Sequence, residues 1–197
     1  NYIQDLEESI SIKEGKEIIE KVFQELYFDE PLSNKKISQR TMLPVPVVTA
    51  LKKEGIKLSV WEQCECGMRL TIVGQEYVEQ ILGYEGVNSV LYSQLMKNEE
   101  ARKAYADVLS KKYRTAFEER PLADVTLDQA QCTVQTAFRR ALLCLAHGTL
   151  VGKNILCLGD DDFISLAIGF LLKELFPAKE SYPTNIHVLD VDARHLD

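Results

Sequence analysis

Gly159-Asp160-Asp161-Asp162 is the stretch of this 197-residue chain whose residue types could do the most chemistry. It follows the apolar run 154–158 and precedes a second apolar run from Phe163, so it reads as a turn from a strand into a helix. At such turns in nucleotide-binding α/β folds, backbone N–H groups at the helix start attract phosphate or carboxylate. Here one glycine is followed by three carboxylates, which repel anions and favour a cation. The pattern G-x-G-x-x-G is missing, which disfavours an NAD or FAD pyrophosphate. The plain structural alternative is an Asp N-cap with two further acids complementing the helix dipole. One Asp suffices for a cap, so the other two ask for a cationic partner or a metal. Adjacent aspartates on one loop do not define a coordination shell, and no metal is assigned.

Asp190 and Asp192 form the second acidic pair, at the end of the apolar run 186–191 and about 30 residues beyond Gly159. An acid at the end of a second strand commonly grips ribose hydroxyls through charge-assisted hydrogen bonds. The bland alternative is a solvated strand end. With Gly159, the pair points to an adenosine-type ligand, and S-adenosylmethionine, which has no phosphate, needs few glycines. Asp128-Gln129 precedes the helix leading into the first strand; it either lies over the ligand or, through Asp128, caps that helix. Arg139 and Arg140 are read as surface charges or as carboxylate partners. Cys64-x-Cys66 has too short a spacing for structural zinc and reads as a turn.

Elements that position these residues follow from periodicity and punctuation. Apolar spacing at Ile10, Ile12, Ile18, Ile19, Val22, Phe23 and Leu26 predicts a helix, firmest over 16–26. Ser33 caps a short helix over 35–40, and a third runs over 47–54 to its end at Gly55. Residues 56–61 alternate as a strand, 63–67 turn, 68–73 return, and 75–82 are helical. Helix, helix, helix, hairpin, helix is the order of a winged-helix domain. Residues 84–98 read as a connection, and Asn98 caps a helix over 99–114. Residues 122–134 read as irregular and 134–147 as an apolar helix. The strand 154–158 is continuously apolar, of the kind buried on both faces of a parallel sheet. With the helix 163–175 and the strand 186–191 it makes one βαβ unit.

The expected organisation is therefore a two-domain chain. Residues 1–84 form an α+β winged-helix-like domain and 85–127 a helical linker. Residues 128–197 form the N-terminal part of an α/β Rossmann-like domain of the SAM-methyltransferase type, with only the first βαβ present. A complete sheet of this kind needs roughly 120–150 residues after its first strand, so the C-terminal strands are expected to be missing and the fragment incomplete. An apolar fraction of 46% supports a packed core, and a net charge of −7 argues against general nucleic-acid binding. Seven Lys/Arg against five Asp/Glu over residues 31–84 is a thin basic surface for DNA. No apolar run approaches the ~20 residues that span a bilayer, and the N-terminus lacks a signal-peptide pattern. Five cysteines, an odd count, suit a reduced cytoplasmic protein.

Asp128-Gln129, Thr133, the apolar strand, Gly159-Asp160-Asp161-Asp162 and Leu189-Asp190-Val191-Asp192 together resemble the branched-chain polyamine synthases, the bis(aminopropyl)spermidine synthase family. The G-D-D-D run is the most specific element, and Ala130-Gln131-Cys132 departs from the family pattern. The resemblance implies an aminopropyltransferase that moves an aminopropyl group from decarboxylated S-adenosylmethionine to a polyamine such as spermidine. It implies no tightly bound cofactor, decarboxylated S-adenosylmethionine being a co-substrate. Asp160, Asp161 and Asp162 would then act on the amine, and Asp128, Gln129, Gly159, Asp190 and Asp192 would bind substrate. Its partners are small molecules, with neither nucleic acid nor membrane, and a homodimer is compatible with it. The alternatives are a SAM-dependent methyltransferase and a winged-helix regulator that senses a ligand.

Overall fold

Apolar residues three and four apart put Ile19, Val22, Phe23 and Leu26 on one face of α2 (Lys16–Asp29), and all four are buried. The structure, a computed structural model, describes residues 1–10, 15–178, 180 and 182–195. Ile12 and the last two positions of the expected second domain lie outside the described residues. Among the described residues the protein is a mostly helical α+β structure with two two-stranded sheets. It divides into two compact units, Asn1–Glu85 and Gly86–Asp197. No helix among the described residues is long and apolar enough to cross a membrane.

In the first unit, α1 (Tyr2–Ile10) and α2 are followed by α3 (Asn34–Thr41) and α4 (Val45–Lys57). Ser33 caps α3, its hydroxyl accepting the Lys36 N–H. Strands β1 (Trp61–Cys64) and β2 (Gly67–Leu70) form an antiparallel hairpin, with Trp61 opposite Leu70. Leu32 extends the hairpin by exchanging two backbone hydrogen bonds with Met68. Helix α4 does not end at Gly55 as its glycine suggested. Gly55 lies buried inside α4 because the Trp61 ring occupies the space of its missing side chain. The strand expected over 56–61 is displaced to Trp61–Cys64, into the stretch expected to turn, since Ile56 and Lys57 belong to α4. The return strand stops at Leu70, because the Thr71 hydroxyl accepts the Gly74 N–H and starts α5 (Ile72–Glu76), continued by a π-turn over Tyr77–Ile81.

In the second unit the stretch expected to be a plain connection contains α6 (Ser89–Lys97), capped by the Asn88 side chain on Leu91 N–H. Asn98 caps α7 (Glu99–Lys112) through Ala101 N–H, and a short α8 (Arg114–Glu118) follows. Helix α9 (Val134–Ala146) packs between α7 and α10 (Ile164–Leu175). Its cap is Thr133, not Asp128: the Thr133 hydroxyl accepts Thr136 N–H, while Asp128 sits in the left-handed region with φ 57°. Strands β3 (Asn154–Leu158) and β4 (Asn185–Leu189) pair in parallel around α10, with Leu158 level with Leu189. The expectation of a strand buried on both faces is corrected. Leu156 is 60% and Leu158 72% exposed among the described residues, while Ile155 and Cys157 on the other face are half-buried. Phe163 is the left-handed residue before α10 and not part of it.

Candidate functional site

A parallel pair with Leu158 level with Leu189 brings the chain after β3 and the chain after β4 to the same end of the sheet. The two acidic stretches therefore meet. Gly159 turns the chain with φ 73°, a conformation side chains rarely adopt, and its N–H donates to Leu189 O at 2.8 Å. The next N–H, of Asp160, donates to Asp190 Oδ2 at 2.7 Å. Asp190 Oδ1 accepts Asp192 N–H at 2.9 Å. These two backbone donors hold the Asp190 carboxyl below the usual carboxylate range.

The three consecutive aspartates do not face one another as three bare charges. Asp160 is 3% exposed, and its carboxylate accepts both the Ser165 N–H at 3.1 Å and the Ser165 hydroxyl. This bond ties the loop to the first turn of α10, where an acid is favoured by the helix dipole. Asp162 is buried and accepts Cys132 N–H on one oxygen and the Arg140 guanidinium on the other. Asp161 is half-buried and accepts Ala130 N–H at 3.2 Å. Burial raises the Asp162 carboxyl, but the Cys132 N–H and the Arg140 charge outweigh it and the net shift is downward. The cation that the aspartate run asked for is thus met in part inside the chain, at Arg140.

Asp192 is the other strongly held acid. Arg194 donates to both its oxygens and Gln129 Nε2 to Oδ2 at 3.0 Å, and together they hold its carboxyl far below the usual range. The Gln129 side-chain oxygen Oε1 in turn accepts Asp124 N–H at 2.8 Å. Residues 159–162, 190, 192 and 129 are therefore brought together, with Ala130, Cys132, Arg120, Arg140 and Arg194 joining them. Asp128 is exposed, and its backbone N–H donates to Val125 O at 3.3 Å. Arg120 Nη1 donates to Cys132 O at 3.1 Å and Asp162 O at 3.5 Å. Sequence reasoning missed Arg120, Ser165 and Arg194; Arg194, two residues after Asp192, is the one whose spacing could have signalled a local pair. His195 has a wholly buried ring with neither nitrogen hydrogen-bonded among the described residues; it lies edge-on to Phe163, with Nε2 3.6 Å from Asp192 Oδ2. No group of three or more His, Cys, Asp or Glu among the described residues is placed to hold a metal ion.

The depressed Asp162 carboxyl has a consequence for folding. A folded value below the unfolded one gives stability that is present above about pH 4 and is lost as pH falls through the folded value. The thermal midpoint of the chain is expected to drop between pH 6 and pH 3, followed by circular dichroism. Asp162→Asn should lower the midpoint at pH 6 and flatten part of the acid slope; parallel pH curves for the two proteins would contradict this assignment.

These features define a class: an α/β unit whose parallel strands end in two hydrogen-bonded acidic loops. Residues 107–197 match the Branched-chain polyamine synthase A C-terminal domain. An uncharacterized protein of Methanocaldococcus jannaschii is 30% identical over 194 residues, covering 98% of this chain and 47% of that protein. The N(4)-bis(aminopropyl)spermidine synthase of the same organism is 32% identical over 95 residues, covering 48% of this chain and 24% of that enzyme. The chain thus spans about half the length of the first relative and about a quarter of the second. A crystal structure of the branched-chain polyamine synthase from Thermus thermophilus, in complex with N4-aminopropylspermidine and 5'-methylthioadenosine, is 16% identical. The match covers 96% of this chain and 57% of that one at a TM-score of 0.31. A similarity that low carries no argument about this site.

Proposed function

We propose that this chain belongs to an aminopropyltransferase that moves an aminopropyl group from decarboxylated S-adenosylmethionine to a polyamine such as spermidine. The observation that carries the reading is the meeting of the Gly159–Asp162 loop with Asp190 and Asp192, inside the residues that match the family domain. Its organisation is a winged-helix-like domain over residues 1–84, a helical linker over 85–127, and the first βαβ of a Rossmann-like catalytic domain over 128–197. The name of the N(4)-bis(aminopropyl)spermidine synthase suggests the acceptor nitrogen.

The chemistry suits acidic residues. Decarboxylated S-adenosylmethionine ends in an ammonium group and carries a sulfonium, and a polyamine carries several ammonium groups. The acceptor nitrogen, as the free amine, attacks the aminopropyl carbon. The carbon–sulfur bond breaks with its electron pair going to sulfur, leaving neutral methylthioadenosine, and the new ammonium loses a proton. Positioning and charge stabilisation are what a protein adds to such a displacement. Asp190 is assigned to the ribose hydroxyls of the donor. Asp161, which has one backbone partner where Asp160 and Asp162 have both oxygens engaged, is assigned to the acceptor amine and its proton. Asp160 and Asp162 set the loop, while Asp192 holds Gln129 over the donor side.

The test is product analysis. The full-length protein containing this chain, given spermidine and decarboxylated S-adenosylmethionine, is expected to form methylthioadenosine and an aminopropylated spermidine in equal amounts. Methyl transfer from ordinary S-adenosylmethionine, with no aminopropyl product, would overturn the reading.

A further inference from the structure

Residues 121–133 lie across the acidic loops and are fastened to them by polar bonds. Ala130 N–H is on Asp161, Cys132 N–H on Asp162 and the Gln129 amide on Asp192. Arg120 holds the Cys132 carbonyl at one end. The same stretch gains little from apolar burial: Leu122 is 85% and Val125 84% exposed. Its position is thus held by donors that satisfy carboxylates rather than by a hydrophobic anchor. A carboxylate oxygen filled by an N–H is less available to an ammonium ion.

We infer that residues 121–133 are a strap whose backbone N–H groups stand in for substrate ammonium groups on Asp161 and Asp162, and that a polyamine displaces it. Arg140, on α9 and outside the strap, keeps the other oxygen of Asp162. The inference rests on the polyamine reading of the site. Thermodynamically the ligand must prefer the open strap, and it does so because the oxygens of Asp161 and Asp162 that Ala130 and Cys132 N–H fill are free only there. The exposed apolar residues of the strap then have a use, since a lifted strap can turn them toward the methylene segments of a bound polyamine.

Cys132 reports the strap. Burial and then the Asp162 charge push its thiol up to about 11, so it is a poor nucleophile while the strap is closed. Opening should restore an ordinary thiol and raise its thiolate fraction at pH 8 by about a hundredfold, which the lower nucleophilicity of the less basic thiolate cuts to a rate gain of about tenfold. The experiment alkylates the full-length protein containing this chain with iodoacetamide at pH 8 and reads each cysteine by mass spectrometry, with exposed Cys66 as the internal reference. Spermidine binding is followed by calorimetry on the same sample. Spermidine is expected to bind and to raise the Cys132 rate about tenfold relative to Cys66, whereas sodium chloride of equal ionic strength is not. Binding with an unchanged or slower Cys132 rate overturns the strap and spares the polyamine reading. An equal effect of sodium chloride also overturns it, because screening alone would then explain the opening. No binding of spermidine at all removes the polyamine reading, and the strap with it.

Discussion

Gly55→Ala is expected to destabilise residues 1–85 by about 2 kcal/mol or more. A β-carbon at Gly55 would stand 2.0 Å from Trp61 Cε3 and 2.5 Å from Cδ2, well inside contact distance. The ring cannot swing away. It is 1% exposed and packs on Phe23 at 5.0 Å between centroids, and Phe23 packs on Tyr77 at 5.3 Å. Relief therefore requires α4 and β1 to part, and overpacking of this kind costs about 3 kcal/mol at the upper end of its usual range. Alanine gains about 1 kcal/mol over glycine in a helix interior, which leaves the net loss. The single tryptophan makes the check direct, because urea unfolding followed by Trp61 fluorescence sees the first unit alone. A variant as stable as the parent would show that α4 and β1 do not approach as closely as the structure has them.

Gly55 also shows why some of the fold was legible from the residue string and some was not. Periodic apolar positions and side-chain caps are local, so α2, the Ser33 cap and the Asn98 cap are readable within a few residues. A glycine that makes room for a ring six residues away looks the same in sequence as a glycine that ends a helix. The β3 run failed for a related reason. Continuous apolar character predicts two covered faces, and the described residues leave Leu156 and Leu158 mostly exposed. At the site, the acidic residue types were legible, and the structure brings Asp160, Asp190 and Asp192 together as the βαβ pattern implies. Their partners were hidden. Ala130 and Cys132 act through backbone N–H groups that every residue but proline carries, from 30 or so positions away. Ser165 was hidden by an ordinary position in the first turn of α10. Arg120, Arg140 and Arg194 had visible charges, but for Arg120 and Arg140 the target lies 42 and 22 positions away and was one of several groups.

Asp161→Asn is expected to lower kcat/KM for the polyamine by about 100-fold or more in the full-length protein, with little change in stability. The expectation separates three neighbouring acids by what each already does. Asp160→Asn and Asp162→Asn disturb carboxylates that are buried and doubly engaged, so lost folding accompanies any lost activity. Asp161 accepts one backbone N–H at 3.2 Å, and the amide oxygen of asparagine accepts the same bond. What asparagine removes is the negative charge and the ability to take a proton. If Asp161 faces the acceptor amine, both are needed as the new ammonium forms, so the loss belongs in kcat more than in the KM for decarboxylated S-adenosylmethionine. Steady-state kinetics with each substrate varied in turn, beside a thermal melt, distinguish the cases. A loss confined to the donor KM would move Asp161 to the adenosyl side of the site. Unchanged kinetics in a fully folded variant would hand the proton to another group.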